Sequence, residues 1–195
     1  MKSARGATSM KLALRQELRR RRIAIPQPAR NRAAICAARK LAHHTWFRNA
    51  RHLGIYLPAG SELSTWPLIV AAWASGRKTY VPRIGQHGQM QFVALRPGSP
   101  MRPNRHGIAE PCTRTRRPPR QLDLLVIPLL GFAADGRRLG AGGGYYDRLL
   151  ARCSRHHPHR IGYGFAAQQC EQIPTEDWDQ RLHGVVTECR LLRCR

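Results

Sequence analysis

The run Leu122-Asp-Leu-Leu-Val-Ile-Pro-Leu-Leu130 constrains the fold of this chain more than any other segment. Both of its alternating faces are apolar, so a strand formed here must be covered on two sides and sits in the middle of a sheet. Flanking segments alternate between strand-like and helix-like patterns. Lys11 to Arg22 sets Leu12, Leu14 and Leu18 among charged residues and reads as a helix, ended by Pro26 and Pro28. Ala29 to Phe47 reads as a second helix, with Ile35, Leu41 and Trp46 as core contacts. His52 to Leu57 reads as a strand, Thr65 to Ser75 as a helix and Lys78 to Pro82 as a strand, a unit whose natural sheet is parallel. Gln89 to Leu95, Arg160 to Phe165 and Val185 to Glu188 supply further strands. Arg96 to Arg120, rich in Pro, Arg and Gly, reads as a long irregular connection with Gly107 to Pro111 as an ordered island. With no internal repeat or compositional break, one domain over residues 1–195 is expected, of the α/β class: three layers, α/β/α, around an open, mostly parallel sheet.

The segment after the central run carries the chemistry. Gly136-Arg-Arg-Leu-Gly-Ala-Gly-Gly-Gly-Tyr-Tyr-Asp-Arg148 leads into a helix expected over Tyr145 to Cys153. Glycines let a backbone turn sharply and approach a ligand closely, and free N–H groups at a helix start favour an anion. The Walker pattern is excluded, because Gly144 is followed by Tyr145 and Tyr146 instead of Lys-Ser/Thr. The dinucleotide fingerprint is excluded as well, since its third glycine falls on Tyr145. A plain connecting turn accounts for one or two glycines, but not for four in the five positions 140–144. Arg138 can bond phosphate in bidentate fashion. Asp147 can hold Mg²⁺, or simply complement the helix start. Tyr145 and Tyr146 offer flat faces for a ring-bearing ligand, or ordinary packing.

Other candidates are less specific. Lys11 and Arg15 lie four apart on one helix face, where they could grip a polyphosphate or merely face solvent. Glu62 follows the strand ending at Leu57, where ligands of open α/β sheets are found. Asp179, in the polar turn Pro174 to Arg181, could be a second metal-linked carboxylate or a surface ion-pair partner. Cys153, His156, His157 and His159 could in principle bind zinc, but Pro158 interrupts them and no second ligand pair follows.

The formal net charge of +23 rests on 34 basic residues, of which only Lys2, Lys11, Lys40 and Lys78 are lysines. That bias fits a GC-rich coding composition or an anionic partner. The charge is spread along the chain and no nucleic-acid-binding motif accompanies it, so no specific nucleic acid is expected. The six cysteines form no C-x-x-C pair. No apolar run approaches the roughly 18 residues of a membrane span, and Met1 to Met10 has no signal-like apolar stretch. A cytoplasmic location without a membrane partner is therefore expected.

Taken together, these motifs resemble the 5-formyltetrahydrofolate cyclo-ligase (methenyltetrahydrofolate synthetase) family over nearly the whole chain. The carriers are Lys11-x-x-x-Arg15, Tyr56-Leu-Pro58 with Glu62, Gly107-Ile-x-Glu-Pro111, the loop Gly136 to Asp147, Ile161-Gly-x-x-Phe165, Gln168 and Val185 to Glu188. The resemblance implies that ATP phosphorylates the formyl oxygen of 5-formyltetrahydrofolate, including polyglutamylated forms. N10 then closes the ring to 5,10-methenyltetrahydrofolate, with ADP and phosphate released. It further implies that Lys11, Arg15, Arg138, Leu139, Gly140, Ala141, Gly142, Gly143, Gly144, Tyr145 and Tyr146 contact ATP. Leu57, Glu62 and the loop Ala141 to Tyr145 would meet the folate, Asp147 and Asp179 would hold Mg²⁺, and Arg138 and Tyr145 would act at the reacting groups. A monomer is expected. Ala133, Gly143 and His183 depart from residues common in the family. A basic nucleic-acid-binding protein on the same fold, or a paralogue with another substrate, is the alternative.

Overall fold

The computed structural model describes residues 2–85, 88–104, 107–176 and 178–194, with side chains from residue 9 onward. Among the described residues five α-helices are formed: α1 (Lys2–Ile23), α2 (Gln27–His43), α3 (Thr45–Arg48), α4 (Trp66–Ala74) and α5 (Tyr145–Leu150). The strands are β1 (His52–Ile55), β2 (Lys78–Ile84), β3 (Met90–Leu95), β4 (Met101–Pro103), β5 (Ala109–Pro111), β6 (Arg116–Arg117), β7 (Leu124–Pro128), β8 (Gly131–Phe132), β9 (Arg138–Leu139), β10 (His159–Tyr163), β11 (Gly184–Val186) and β12 (Leu191–Arg193).

The main sheet runs β12-β11-β10-β7-β1-β2-β3-β6. Its five inner strands, β11 to β2 in that order, are parallel, and β12, β3 and β6 add antiparallel edges. β7 is central, as its two apolar faces require: Leu124 and Val126 enter one core cluster, Leu125 and Ile127 the other. The first cluster lies under α2 and α4, through Ala33, Ala34, Ala37, Ala38 and Leu41 of α2 and Leu68, Ile69 and Ala72 of α4. The second lies under α5, through Tyr146, Leu149 and Leu150. This is the expected three-layer α/β/α arrangement. Gly54 of β1 is required on the α5 side, since a Cβ there would come within 2.7–2.9 Å of Leu125, Leu122 and Phe92.

In chain order the parallel strands β1, β2, β7, β10 and β11 are arranged 2-1-3-4-5. The direction of winding therefore reverses between β1 and β7, and in such sheets a crevice opens at the carboxyl ends of those two strands.

Several local expectations are corrected. The first helix begins well before Lys11. The second breaks at His44, which adopts an extended conformation (φ −79°, ψ 147°) and accepts from the Trp46 N–H through Nδ1 at 3.2 Å, starting α3. Ile35 is exposed, because the alanines form the buried face of α2. The connection Arg96 to Arg120 holds the β4–β5 hairpin, and β6 closes one sheet edge. Arg105 and His106 in that connection, and Asp177 in the turn Pro174 to Arg181, lie outside the described residues. The helix after the glycine loop stops at Leu150 instead of Cys153. β12 pairs with β11 beyond the strand expected to be last.

Candidate active site

A cavity of about 610 Å³ opens at the crevice between β1 and β7. Its floor is Pro128, Leu129 and Leu130, the carboxyl end of the central strand. From there the chain makes the β8–β9 hairpin, in which Arg138 is the register partner of Phe132. That pairing sets Arg138 at the cavity wall with a side chain only 4% exposed. Its Nη2 donates to Asp147 Oδ1 at 2.5 Å, while its buried Nε has no hydrogen-bond partner among the described residues. Asp147 lies in the first turn of α5, and the same oxygen also accepts from the Gln180 N–H at 3.4 Å.

Gly140 to Gly144 form the adjoining wall. Gly144 caps α5 in the left-handed region (φ 62°, ψ 12°), a conformation that favours glycine. α5 has six residues, so its macrodipole is short. An anion placed here would meet the loop N–H groups and the neighbouring cations more than the helix dipole. Arg148, one turn beyond Gly144, reaches back over the Tyr145 ring, with Cζ 5.0 Å from the ring centroid.

α1 supplies the opposite wall. Leu18 is fully buried in a small cluster with Ala133, Leu139 and Ile173, which docks α1 on the β8–β9 hairpin. One and two turns earlier, Arg15 and Lys11 enter the cavity. Arg15 Nε donates to the Gly140 carbonyl at 3.0 Å. Lys11, 8% exposed, donates through Nζ to Asp179 Oδ2 at 2.8 Å and lies 3.8 Å from Glu176 Oε1. Asp179 Oδ2 also accepts from the Glu176 N–H at 3.0 Å. The solvated-face reading of Lys11 and Arg15 is thereby displaced, because both turn inward.

The third wall follows β1. Tyr56 donates its hydroxyl proton to the Leu63 carbonyl at 2.6 Å, and Thr65 Oγ1 donates to the Tyr56 carbonyl at 2.7 Å, clamping the loop between them. Within it Glu62 Oε2 accepts from the Ala59 N–H at 3.0 Å, and Arg22 of α1 donates to Ser61 Oγ at 2.9 Å. Burial raises the Glu62 pKa above the usual carboxylate value, opposed by the Ala59 hydrogen bond and the Arg22 charge.

The structure thus gathers Lys11, Arg15, Glu62, Arg138 to Asp147 and Asp179 around one cavity. Leu57 is the exception. It lies just past the end of β1, and its partly buried side chain packs against the core cluster beneath α2 and α4, outside the cavity lining. Arg148, Met90, Glu176 and Trp178 also line the cavity and were missed from sequence. Arg148 had a signal, standing at i+4 from Gly144 inside the glycine-rich segment. Of the three departing positions only Gly143 lines the cavity. Ala133 is buried under α1, Asp135 pairs with Arg137 (3.0 Å) and Arg181 (3.8 Å) in the turn between β8 and β9, and His183 bonds Arg160 and Arg155. Among the described residues no three His, Cys, Asp or Glu side chains converge as a metal cage. No helix among the described residues is long and apolar enough to cross a membrane.

Comparison with known proteins gives one answer. Residues 7–188 match the 5-formyltetrahydrofolate cyclo-ligase family. The 5-formyltetrahydrofolate cyclo-ligase of Escherichia coli (strain K12) is 33% identical over 178 residues, covering 89% of this chain and 98% of the relative. That of Mus musculus is 30% identical, covering 92% and 94%. Among solved structures, the 5,10-methenyltetrahydrofolate synthetase of Aquifex aeolicus superposes with a TM-score of 0.84 at 26% identity, covering 95% of this chain and 93% of that one.

Proposed function

Because this chain belongs to the 5-formyltetrahydrofolate cyclo-ligase family, we propose that the cavity between β1 and β7 is where it carries out the ATP-dependent conversion of 5-formyltetrahydrofolate to 5,10-methenyltetrahydrofolate. The observation that carries this site assignment is convergence: the cations of α1, the glycine-rich loop and the β1 loop with Glu62 meet in one cavity although they are far apart in sequence. ATP is assigned to the wall formed by Lys11, Arg15, Arg138 and Gly140 to Gly144. The folate is assigned to the side of Glu62 and Tyr145.

The reaction makes two bonds, O–P and N10–C, and breaks three, the P–O bond to ADP, the C–O bond and N10–H. The formyl oxygen attacks the γ-phosphorus and ADP leaves. N10 attacks the activated carbon, the C–O bond breaks, phosphate leaves with the former formyl oxygen, and the N10 proton passes to the departing phosphate or to water. Positioning and charge stabilisation dominate chemistry of this kind. Arg138 is buried and pre-oriented by Asp147, so it can meet charge developing on the phosphoryl oxygens with little reorganisation. The loop N–H groups of Gly142 to Gly144 approach the phosphates without side-chain obstruction. Lys11 and Arg15, held by Asp179 and the Gly140 carbonyl, close the far side. Glu62 matches the N–H donors of the pterin edge, and Tyr145 presents a ring face to the pterin.

Asp147 and Asp179 fit Mg²⁺. Both offer hard carboxylate oxygens, and each commits one oxygen to the cation beside it. Two carboxylates suit an ion that otherwise keeps water and substrate phosphate as ligands. When bound, the ion would neutralise phosphate charge next to Arg138.

The cytoplasm is the assigned compartment; six unpaired cysteines fit a reducing environment. The test is to incubate the purified protein with MgATP and 5-formyltetrahydrofolate while following methenyltetrahydrofolate absorbance and ADP together. Equal accumulation of both is expected. Folded protein that forms neither overturns the proposal.

A further inference from the structure

Among the polar groups of the cavity-lining residues that the reaction as described leaves unused is the hydroxyl of Tyr146. The residue is 9% exposed, and its buried hydroxyl oxygen has no hydrogen-bond partner among the described residues. The other buried tyrosines are all satisfied. Tyr56 bonds the Leu63 carbonyl at 2.6 Å, Tyr163 the Ala34 carbonyl at 3.3 Å, and Tyr80 lies 3.4 Å from His52 Nδ1. A buried hydroxyl without a partner weakens a fold, and phenylalanine would fill the same volume without that penalty. The position of Tyr146 therefore points to a ligand. Its ring packs with Leu149 and Leu150 beneath the sheet and lies 5.9 Å from the Arg138 guanidinium. Glu62 lines the same cavity. A tyrosine hydroxyl carries its own proton, so this group is available as a hydrogen-bond donor.

We propose that the Tyr146 hydroxyl positions the folate, donating a hydrogen bond to a carbonyl-type oxygen on the N5 side of the pterin while Glu62 accepts from the ring's N–H edge. Donor and acceptor together fix the register in which the formyl oxygen faces the phosphoryl group beside Arg138. This rests on the folate assignment above and moves the Tyr146 hydroxyl from the nucleotide to the folate.

The test is Tyr146→Phe, which removes one oxygen and leaves the ring. With nothing left unsatisfied, the thermal midpoint of the ligand-free variant rises, by about 2–4 °C. Its KM for 5-formyltetrahydrofolate rises about two- to tenfold, the factor carried by one neutral hydrogen bond. Its KM for ATP stays within about twofold of wild type, well below the loss of a charge-assisted bond. A gain in stability together with a loss confined to the folate is a combination that a merely structural hydroxyl does not give. A variant that melts lower or fails to fold, an unchanged folate KM, or a change confined to ATP overturns the proposal. Wild-type protein that makes no product in the same assay overturns the folate assignment itself.

Discussion

Replacing Arg138 by alanine separates what this side chain does for the fold from what it does for the reaction. Arg138 is 4% exposed and its partner Asp147 21% exposed, with 2.5 Å between them. Breaking a fully buried ion pair costs about 3–5 kcal/mol. Asp147 keeps its bond from the Gln180 N–H and part of its solvent, so the smaller penalty of about 1–3 kcal/mol for an under-satisfied polar group applies. For a chain of this length that lowers the thermal midpoint by about 2–12 °C. The catalytic loss is larger. Removing one pre-oriented donor from developing charge costs about 10²–10³ in kcat. Arg138→Lys keeps the charge without the planar fork and should fall between alanine and wild type. The control is Asp147→Asn, which breaks the same pair but retains the cation; its turnover should recover in part at high Mg²⁺, whereas that of Arg138→Ala should not. The measurements are differential scanning calorimetry and steady-state turnover over a Mg²⁺ series. An Arg138→Ala variant that is folded at the assay temperature and turns over within about threefold of wild type, against the losses expected of such a donor, would refute the role given to this residue.

Three further predictions use other parts of the molecule. Burial raises the folded-state pKa of Glu62, so its contribution to stability is fully present below the ordinary carboxylate range and is lost as pH rises through the raised value. Glu62→Gln should therefore gain thermal midpoint relative to wild type as pH rises above the ordinary carboxylate range, with weaker folate binding; parallel midpoint profiles would contradict this. His183 accepts the Arg160 N–H at Nδ1 (2.9 Å) and meets the Arg155 carbonyl at Nε2 (2.7 Å), which fixes the neutral tautomer protonated at Nε2. Burial lowers its pKa, so stability is present above the ordinary histidine value and lost as pH falls through the lowered one; the midpoint should drop as pH falls below the ordinary histidine range, and less in His183→Asn, as read by calorimetry. Gly144→Ala places a side chain at φ 62° and brings Cβ within 2.8 Å of Arg148 Nη1. It should cost about 1–2 kcal/mol, with the midpoint down about 2–8 °C; an unchanged midpoint would show that the loop relaxes around the new methyl group.

The central strand was legible because an apolar run on both faces has few other destinations, and Leu124 to Pro128 lies between two parallel neighbours. The connection Arg96 to Arg120 was not, because β4, β5 and β6 are two or three residues long and carry no period of their own. Those strands exist through pairing partners that the local sequence does not name. The break at His44 was hidden for a related reason: imidazole is an uncommon cap, and the hydrophobic pattern runs through it. Ile35 was misplaced because α2 buries four alanines, leaving its larger apolar residue outside.

At the site, the glycine-rich loop announced itself, but the inward turn of α1 did not. Lys11 and Asp179 stand 168 positions apart, and only the fold shows that they are partners. Local composition gave Lys11 and Arg15 no reason to leave solvent; the reason is Leu18, which docks α1 on the β8–β9 hairpin and so carries both cations into the cavity. Leu57 packs against the core cluster instead of lining the cavity, a placement that no single-residue motif encodes.

Following the formyl oxygen tests the central claim, phosphoryl transfer onto the folate in this cavity, most directly. With 5-formyltetrahydrofolate carrying ¹⁸O in the formyl group, turnover by the purified protein with MgATP should place one ¹⁸O atom in each phosphate released and none in ADP, as read by mass spectrometry. Label lost to water, or phosphate released without it, would contradict the account.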